Sequence, residues 1–178
     1  MNGIIVILII AILLLIAFLG ERKKISKSRH VRYLKKAKKT LSLLQKDKLT
    51  PGQAFSYLRR TNPYVFEELV LLGFSENGYE VQRNKSYSGD GGIDGRVVKD
   101  GQEYLVQCKR YSKHINLKHV QEFARLCREK AKEGFFVHTG KTGRASRLSA
   151  HEFGNVEIIS GYKLLNFLKY NNYLNDEN

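Results

Sequence analysis

With 178 residues the chain has room for one domain and something smaller, and its two cysteines, Cys108 and Cys127, exclude a disulfide scaffold and match no zinc spacing. The formal charge of +14 is unevenly placed: residues 21–50 hold twelve Lys or Arg against two acids, whereas residues 51–178 hold nineteen against fifteen. The surplus therefore describes one segment before it describes a domain.

From Ile4 to Leu19 the sequence is apolar throughout, and with Gly3 and Gly20 it reaches about 18 residues, the lower end of a bilayer span. A buried core helix would show a polar stripe, and none is present. A cleavable signal peptide is the rival, but Met1-Asn2-Gly3 lacks a basic residue and Ala17-Phe18-Leu19-Gly20 is a poor cleavage site. The expectation is an uncleaved transmembrane anchor over 1–20, single-pass in the plasma (inner) membrane. Arg22, Lys23, Lys24, Lys27, Arg29 and Arg32 follow, opposed only by Glu21. Positive flanks stay cytoplasmic, so the C-terminal domain is expected inside, where thiols remain reduced.

The basic juxtamembrane stretch 21–50 can bind membrane lipid, bind nucleic acid through counterion release, or serve as a solvated spacer. Val31, Leu34, Ala37, Leu41 and Leu44 recur at near-helical spacing, which predicts a basic amphipathic helix lying on the leaflet or docked on the domain. Thr50-Pro51-Gly52 punctuates the chain and sets the expected domain over 51–178.

Within that domain Asn62-Pro63 is a helix-start signal for YVFEELVLLGF, and GYEVQRNK reads as a short strand. Two strands flank Lys99-Asp100-Gly101-Gln102. The helix NLKHVQEFARLCREKAKEG follows, with Val120, Phe123, Leu126, Cys127 and Ala131 on its apolar side. FFVHT reads as a buried strand, RASRLSAHEFGN as a helix, VEIIS as a strand and YKLLNFLKYN as a last helix. This order predicts an α/β fold, a mixed β-sheet flanked by helices.

Asp100-Gly101 is a strong signal for a two-residue type I′ hairpin. Such a turn makes Lys99 face Gln102 and pairs Val97 with Tyr104, Gly95 with Val106 and Ile93 with Cys108 on one face. The other face then carries Val98–Glu103, Arg96–Leu105 and Asp94–Gln107, with Lys109 one step beyond. Asp94 and Gln107 would lie about 4.5–5.5 Å apart at Cβ, with Lys109 on the diagonal. A carboxylate, an amide oxygen and an ammonium suit metal-assisted phosphodiester hydrolysis, with Glu67 or Glu68 as a second acid. An ordinary exposed hairpin with a weak Asp–Lys contact is the alternative.

FEELV, GYEV, SGDGGIDGRV, YLVQCKRY, VQEF and GFFVHTG, in this order over roughly Tyr64 to Leu168, resemble the Mrr-like restriction endonucleases, the type IV branch of the PD-(D/E)xK nuclease superfamily. That family replaces the second acid of the superfamily motif with glutamine, which Gln107 matches. The resemblance implies a restriction-endonuclease-like fold, with Asp94 as metal ligand, Gln107 as its companion and Lys109 as catalytic lysine. It implies Glu67 as the helix acid that helps hold metal, with Glu68 as fallback. Asp90 in the glycine loop reads as a turn former. The implied cofactor is Mg2+, with Mn2+ able to substitute.

Two departures qualify the match. A separate DNA-recognition domain usually precedes the nuclease, and here a membrane span and a basic helix take that place. The hydroxyl-rich run commonly found after FFVHTG is absent, and Lys141, Arg144 and Arg147 stand there as phosphate contacts or as a solvated helix face. Arg110 is a further candidate for the DNA backbone. Among the histidines, only His138 merits a test. The expected protein is a membrane-anchored, metal-dependent endodeoxyribonuclease restricting foreign DNA. A non-catalytic DNA-binding membrane tether and a repair nuclease for branched or damaged DNA are the alternatives. The expected partners are double-stranded DNA, membrane lipid through residues 1–50, and a homodimer unless two strands are cut by sequential nicking.

Overall fold

In the computed structural model, residues 2–84, 91–153 and 155–171 are described. One continuous helix, α1 (Asn2–Gln45), runs through both the apolar stretch and the basic stretch. The apolar stretch 1–20 and the basic stretch 21–50 are thus parts of one helix, from Asn2 as far as Gln45. No Pro stands between them, and the helix runs on through Gly20. Among the described residues no helix is long and apolar enough to cross a membrane. In the apolar stretch the described side chains are Ile7–Ile16, Phe18 and Leu19, all exposed; those of Ile4–Val6, Ala17 and Gly20 lie outside the described residues.

The C-terminal part of α1 belongs to the core. Ala37, Leu41 and Leu44 are buried at i, i+4 and i+7, one stripe of the helix, beside residues of α3 (Pro63–Glu76) such as Val65, Leu69 and Val70. A helix not foreseen in the sequence, α2 (Pro51–Arg60), follows. Its start is a capping box: Thr50 Oγ1 accepts from the Gln53 amide, the Gln53 side chain accepts from Thr50 N–H, and Pro51 occupies the first turn. Ala54 and Leu58 bury its inner side.

The remaining elements are β1 (Glu80–Arg83), β2 (Gly95–Lys99), β3 (Gln102–Lys109), α4 (Leu117–Glu129), β4 (Glu133–His138), α5 (Arg144–Phe153), β5 (Val156–Ile159) and α6 (Gly161–Lys169). They form a five-stranded sheet in the order β1-β2-β3-β4-β5, antiparallel over β1–β3 and parallel over β3–β5. This is the expected mixed sheet. Asp100 and Gly101 have φ of 51° and 78°, as a type I′ turn requires, and Lys99 faces Gln102. Period two then sends Val97, Val106 and Cys108 toward α1, α3 and α6, while Leu105 faces α4. Two apolar layers result, one on each side of the sheet.

Close approach matters most where α3 crosses β2. A Cβ on Gly95 would come within 2.7 Å of Leu71 Cδ2, so this glycine lets α3, which carries Glu67, lie against the strand that begins beside Asp94.

Candidate active site

The ladder between β2 and β3 ends at Gly95–Val106, one step before Asp94. Asp94 N–H still donates to Val106 O at 2.8 Å, but the chain then turns away through Gly91 and Gly92, whose φ values are 63° and 90°. The expected pair of Ile93 with Cys108 is therefore not formed. Ile93 instead packs in the α4-side cluster with Leu105. Asn84, just after β1, fastens this approach by donating to Ile93 O at 2.6 Å.

Asp94 reaches across to β3 differently from the strand-pairing expectation. Its Oδ2 accepts from the Cys108 backbone N–H at 2.7 Å. It shares with His30, Glu67, Glu68, Leu71, Arg83 and Asn84 a cavity of about 10 Å3, roughly one water in size. Burial first, then the Asp94 and Glu68 carboxylates, raise the Glu67 carboxyl to about 8, against the opposing pull of Lys109 and Arg110. A carboxyl held neutral beside another carboxylate marks a place where negative charge is concentrated and a cation would be welcome.

Gln107 and Lys109 line an adjoining cleft of about 400 Å3 with Gly91, Gly92, His119 and Glu122. Gln107 Nε2 donates to Gly92 O at 2.6 Å, which fixes the amide so that Oε1 is the acceptor left over. That oxygen is buried with no hydrogen-bond partner among the described residues. Gly92 has φ of 90°, a conformation that favours glycine, and a Cβ there would stand 2.8 Å from Gln107 Nε2. The four expected residues thus fall into two adjacent pairs, Glu67 with Asp94 and Gln107 with Lys109. The fields of Asp94, Glu67 and Lys109 overlap at Cys108, whose thiol is pushed well above its ordinary range, by burial first. Cys108 is consequently no nucleophile.

No group of three or more His, Cys, Asp or Glu able to hold a metal occurs among the described residues. The donor set is instead two carboxyls and one amide oxygen. The unpartnered Gln107 Oε1 and the mutually repelling Glu67 and Asp94 are the pattern that a divalent cation with oxygen ligands would relieve, so the residues fit Mg2+.

Glu68, the fallback ligand, lines the same small cavity but is engaged in ion pairs. It is 2 % exposed and paired with Arg83 Nε at 2.8 Å and His30 Nδ1 at 3.2 Å, both partly exposed, which ties α1 to α3 and β1. Arg110 is also engaged within the fold, donating to the carbonyls of Arg59 and Thr61. Arg59 in turn donates through Nε and Nη2 to Thr139 O. Lys141, Arg144 and Arg147 are exposed beyond β4, with Arg147 donating to Thr142 O at 3.2 Å. Asp90 lies outside the described residues.

His138 proves to be an internal fastener. It is wholly buried, accepts from Gly140 N–H through Nδ1 at 3.1 Å, and lies 3.1 Å from Thr142 Oγ1 through Nε2. With Nδ1 accepting, Nε2 carries the proton and donates to Thr142, which sits 2.8 Å from Ser160. Burial lowers His138 to about 4, so the ring is neutral at physiological pH. Sequence reasoning missed Arg59 and His119. The capping box could have announced the helix carrying Arg59, whereas His119 gains its position only from contact with the Tyr111 hydroxyl.

The Mrr_cat family, described as a restriction endonuclease, matches residues 58–168. The chain belongs to that restriction endonuclease family. It is similar to the type IV methyl-directed restriction enzyme EcoKMrr of Escherichia coli K12, at 29 % identity over 120 residues, covering 62 % of this chain and 39 % of that protein. Its fold is similar to that of the MspJI restriction endonuclease solved with a 27-mer oligonucleotide. That likeness has a TM-score of 0.52 and 20 % identity, and covers 67 % of this chain and 30 % of the other. The chain thus spans well under half the length of either relative. Family membership accords with the five-stranded mixed sheet and its flanking helices.

Proposed function

We propose that the chain is a metal-dependent endodeoxyribonuclease that hydrolyses phosphodiester bonds of double-stranded DNA in defence against foreign DNA. The observation that carries this reading is the raised Glu67 carboxyl beside Asp94, in a chain of the restriction endonuclease family whose Gln107 Oε1 has no partner among the described residues. Glu67, Asp94 and Gln107 would hold Mg2+, which when bound lowers the pKa of water and offsets charge on phosphate. Asp94 is aimed by the Cys108 N–H, and Gln107 by the Gly92 carbonyl. Lys109, at the end of β3 in the open cleft, orients the attacking water and stabilises negative charge on the scissile phosphate.

The test uses the full chain. It should nick or cut duplex DNA with Mg2+ or Mn2+, and Asp94→Ala and Lys109→Ala should each abolish cleavage with an unchanged circular dichroism spectrum. Cleavage surviving both substitutions would sink the assignment. Salt-sensitive DNA binding without cleavage under any metal would favour the non-catalytic tether. A panel of methylated, unmethylated, branched and single-stranded DNA separates defence from repair.

The same reading includes a single-pass anchor in the plasma membrane, with the nuclease on the cytoplasmic side. Its support is the apolar run Ile4–Leu19, the exposure of Ile7–Ile16, Phe18 and Leu19, and the basic flank that follows. Flotation with membranes that resists carbonate extraction is the expected result, and quantitative release by carbonate refutes it. Cutting both strands calls for a homodimer or sequential nicking.

A further inference from the structure

The juxtamembrane helix and α2 enclose a cleft of about 670 Å3 that lies apart from the four site residues. Three cations line it, Lys36 and Lys39 from α1 and Arg60 from the last turn of α2. Gln53, Ser56, Thr61 and Asn62 add polar groups. Tyr57 lies in its lining with its hydroxyl 3.5 Å from Thr40 Oγ1. No carboxylate is among the lining residues. Val65 and the Tyr57 ring make part of the wall apolar, and three cations set among hydroxyl and amide groups, with no carboxylate beside them among the described residues, recognise phosphate oxygens.

Position identifies the source of the phosphate. Arg110, next to the lysine that ends β3, donates to the Thr61 carbonyl, so the wall of this cleft is fastened to the strand that carries Gln107 and Lys109. A polyanion running through the cleft would continue toward the candidate active site. For a helix standing along the bilayer normal on the proposed anchor, lipid headgroups are farther away. Lys36 follows Leu19 by 17 residues of the same helix, about 26 Å of axial rise and more than three Debye lengths at physiological salt.

We propose that the cleft between α1 and α2 is a phosphate groove that grips the backbone of duplex DNA beside the cleavage site. The inference rests on the nuclease reading and adds to it a sequence-independent hold supplied by the membrane-proximal helix. On this view Lys36 and Lys39 serve DNA rather than lipid.

The test measures binding of a fluorescent duplex to the full chain by anisotropy across a KCl series, with Ca2+ in place of Mg2+ to prevent cutting. The combined variant Lys36→Gln, Lys39→Gln, Arg60→Gln should reduce the slope of log Kobs against log[KCl] by roughly 2 to 3 and weaken binding about tenfold or more. Each single substitution, at an exposed position that leaves the fold intact, should remove about one from the slope. A control variant, Lys35→Gln, Lys38→Gln, Lys46→Gln, changes three exposed lysines outside the cleft lining and should keep the wild-type slope. Equal slopes for the wild type and the cleft variants overturn the groove while leaving the nuclease reading standing. Absence of any DNA binding by the wild type brings down both. Loss of binding to phosphatidylserine vesicles with DNA binding intact overturns the groove in favour of a lipid site.

Discussion

Glu67 and His138 titrate in opposite senses, because burial penalises the charged form of an acid and of a base alike. Glu67 rises from 4.5 to about 8 on folding, so the folded state binds the extra proton between those values. Stability from this group is full below pH 4.5 and is lost as pH climbs through 8. Glu67→Gln should therefore gain melting temperature over the wild type as pH rises from 5 to 8 in EDTA, and equal pH profiles refute the shift. Mg2+ binding near pH 7 should also expel a proton, visible in calorimetry as an enthalpy that varies with buffer ionisation heat. His138 falls from 6.5 to about 4, so the unfolded chain binds the extra proton in that window. Its contribution is complete above pH 6.5 and is lost toward pH 4, at most roughly 3 kcal/mol. His138→Asn should flatten the acid limb of the stability curve, at the cost of a lower plateau.

At the scale of elements, α1 and the β2–β3 hairpin set the site from opposite directions. Leu41 and Leu44 are 4 % and 1 % exposed in the core, and each Leu→Ala change should cost about 2–5 kcal/mol in denaturant melts. A cost under about 1 kcal/mol would mean that α1 does not dock through this stripe. Gly95 is the contact that lets α3 lie against β2. Gly95→Ala must push Leu71 aside, and should lower nuclease activity more than stability, because it shifts Glu67 away from Asp94. The hairpin register was readable before any fold was known, since Asp100-Gly101 admits few turns and a one-residue slip would turn Val97 and Val106 to the wrong face. Asp94 was not readable to the same depth. It lies just outside the ladder, where the positive φ of Gly91 and Gly92, and not strand alternation, decides where its carboxylate goes.

For the molecule as a whole, the boundary at residue 51 divides a shared core. A fragment of residues 28–178 keeps His30, Ala37, Leu41 and Leu44, whereas 51–178 removes the His30 partner of Glu68 and uncovers α3. The longer fragment should melt cooperatively, and the shorter should bind a hydrophobic dye and melt lower. Equal melting temperatures would make α1 an appendage.

The amino-acid order by itself determined the mixed sheet, the hairpin register over Gly95–Val106 and the asymmetry of charge, because each follows from local periodicity, turn chemistry or composition. It could not choose between lipid and domain for the amphipathic end of α1, since both present an apolar surface to Leu41 and Leu44. It could not separate Glu67 from Glu68 either. Adjacent residues on a helix differ by about 100° of rotation, and only the packing of α3 aims one toward Asp94 and the other toward Arg83 and His30. The tertiary structure alone spent Arg110 on carbonyls and drew Lys36, Lys39 and Arg60 around one cleft, because those meetings join residues distant in the chain.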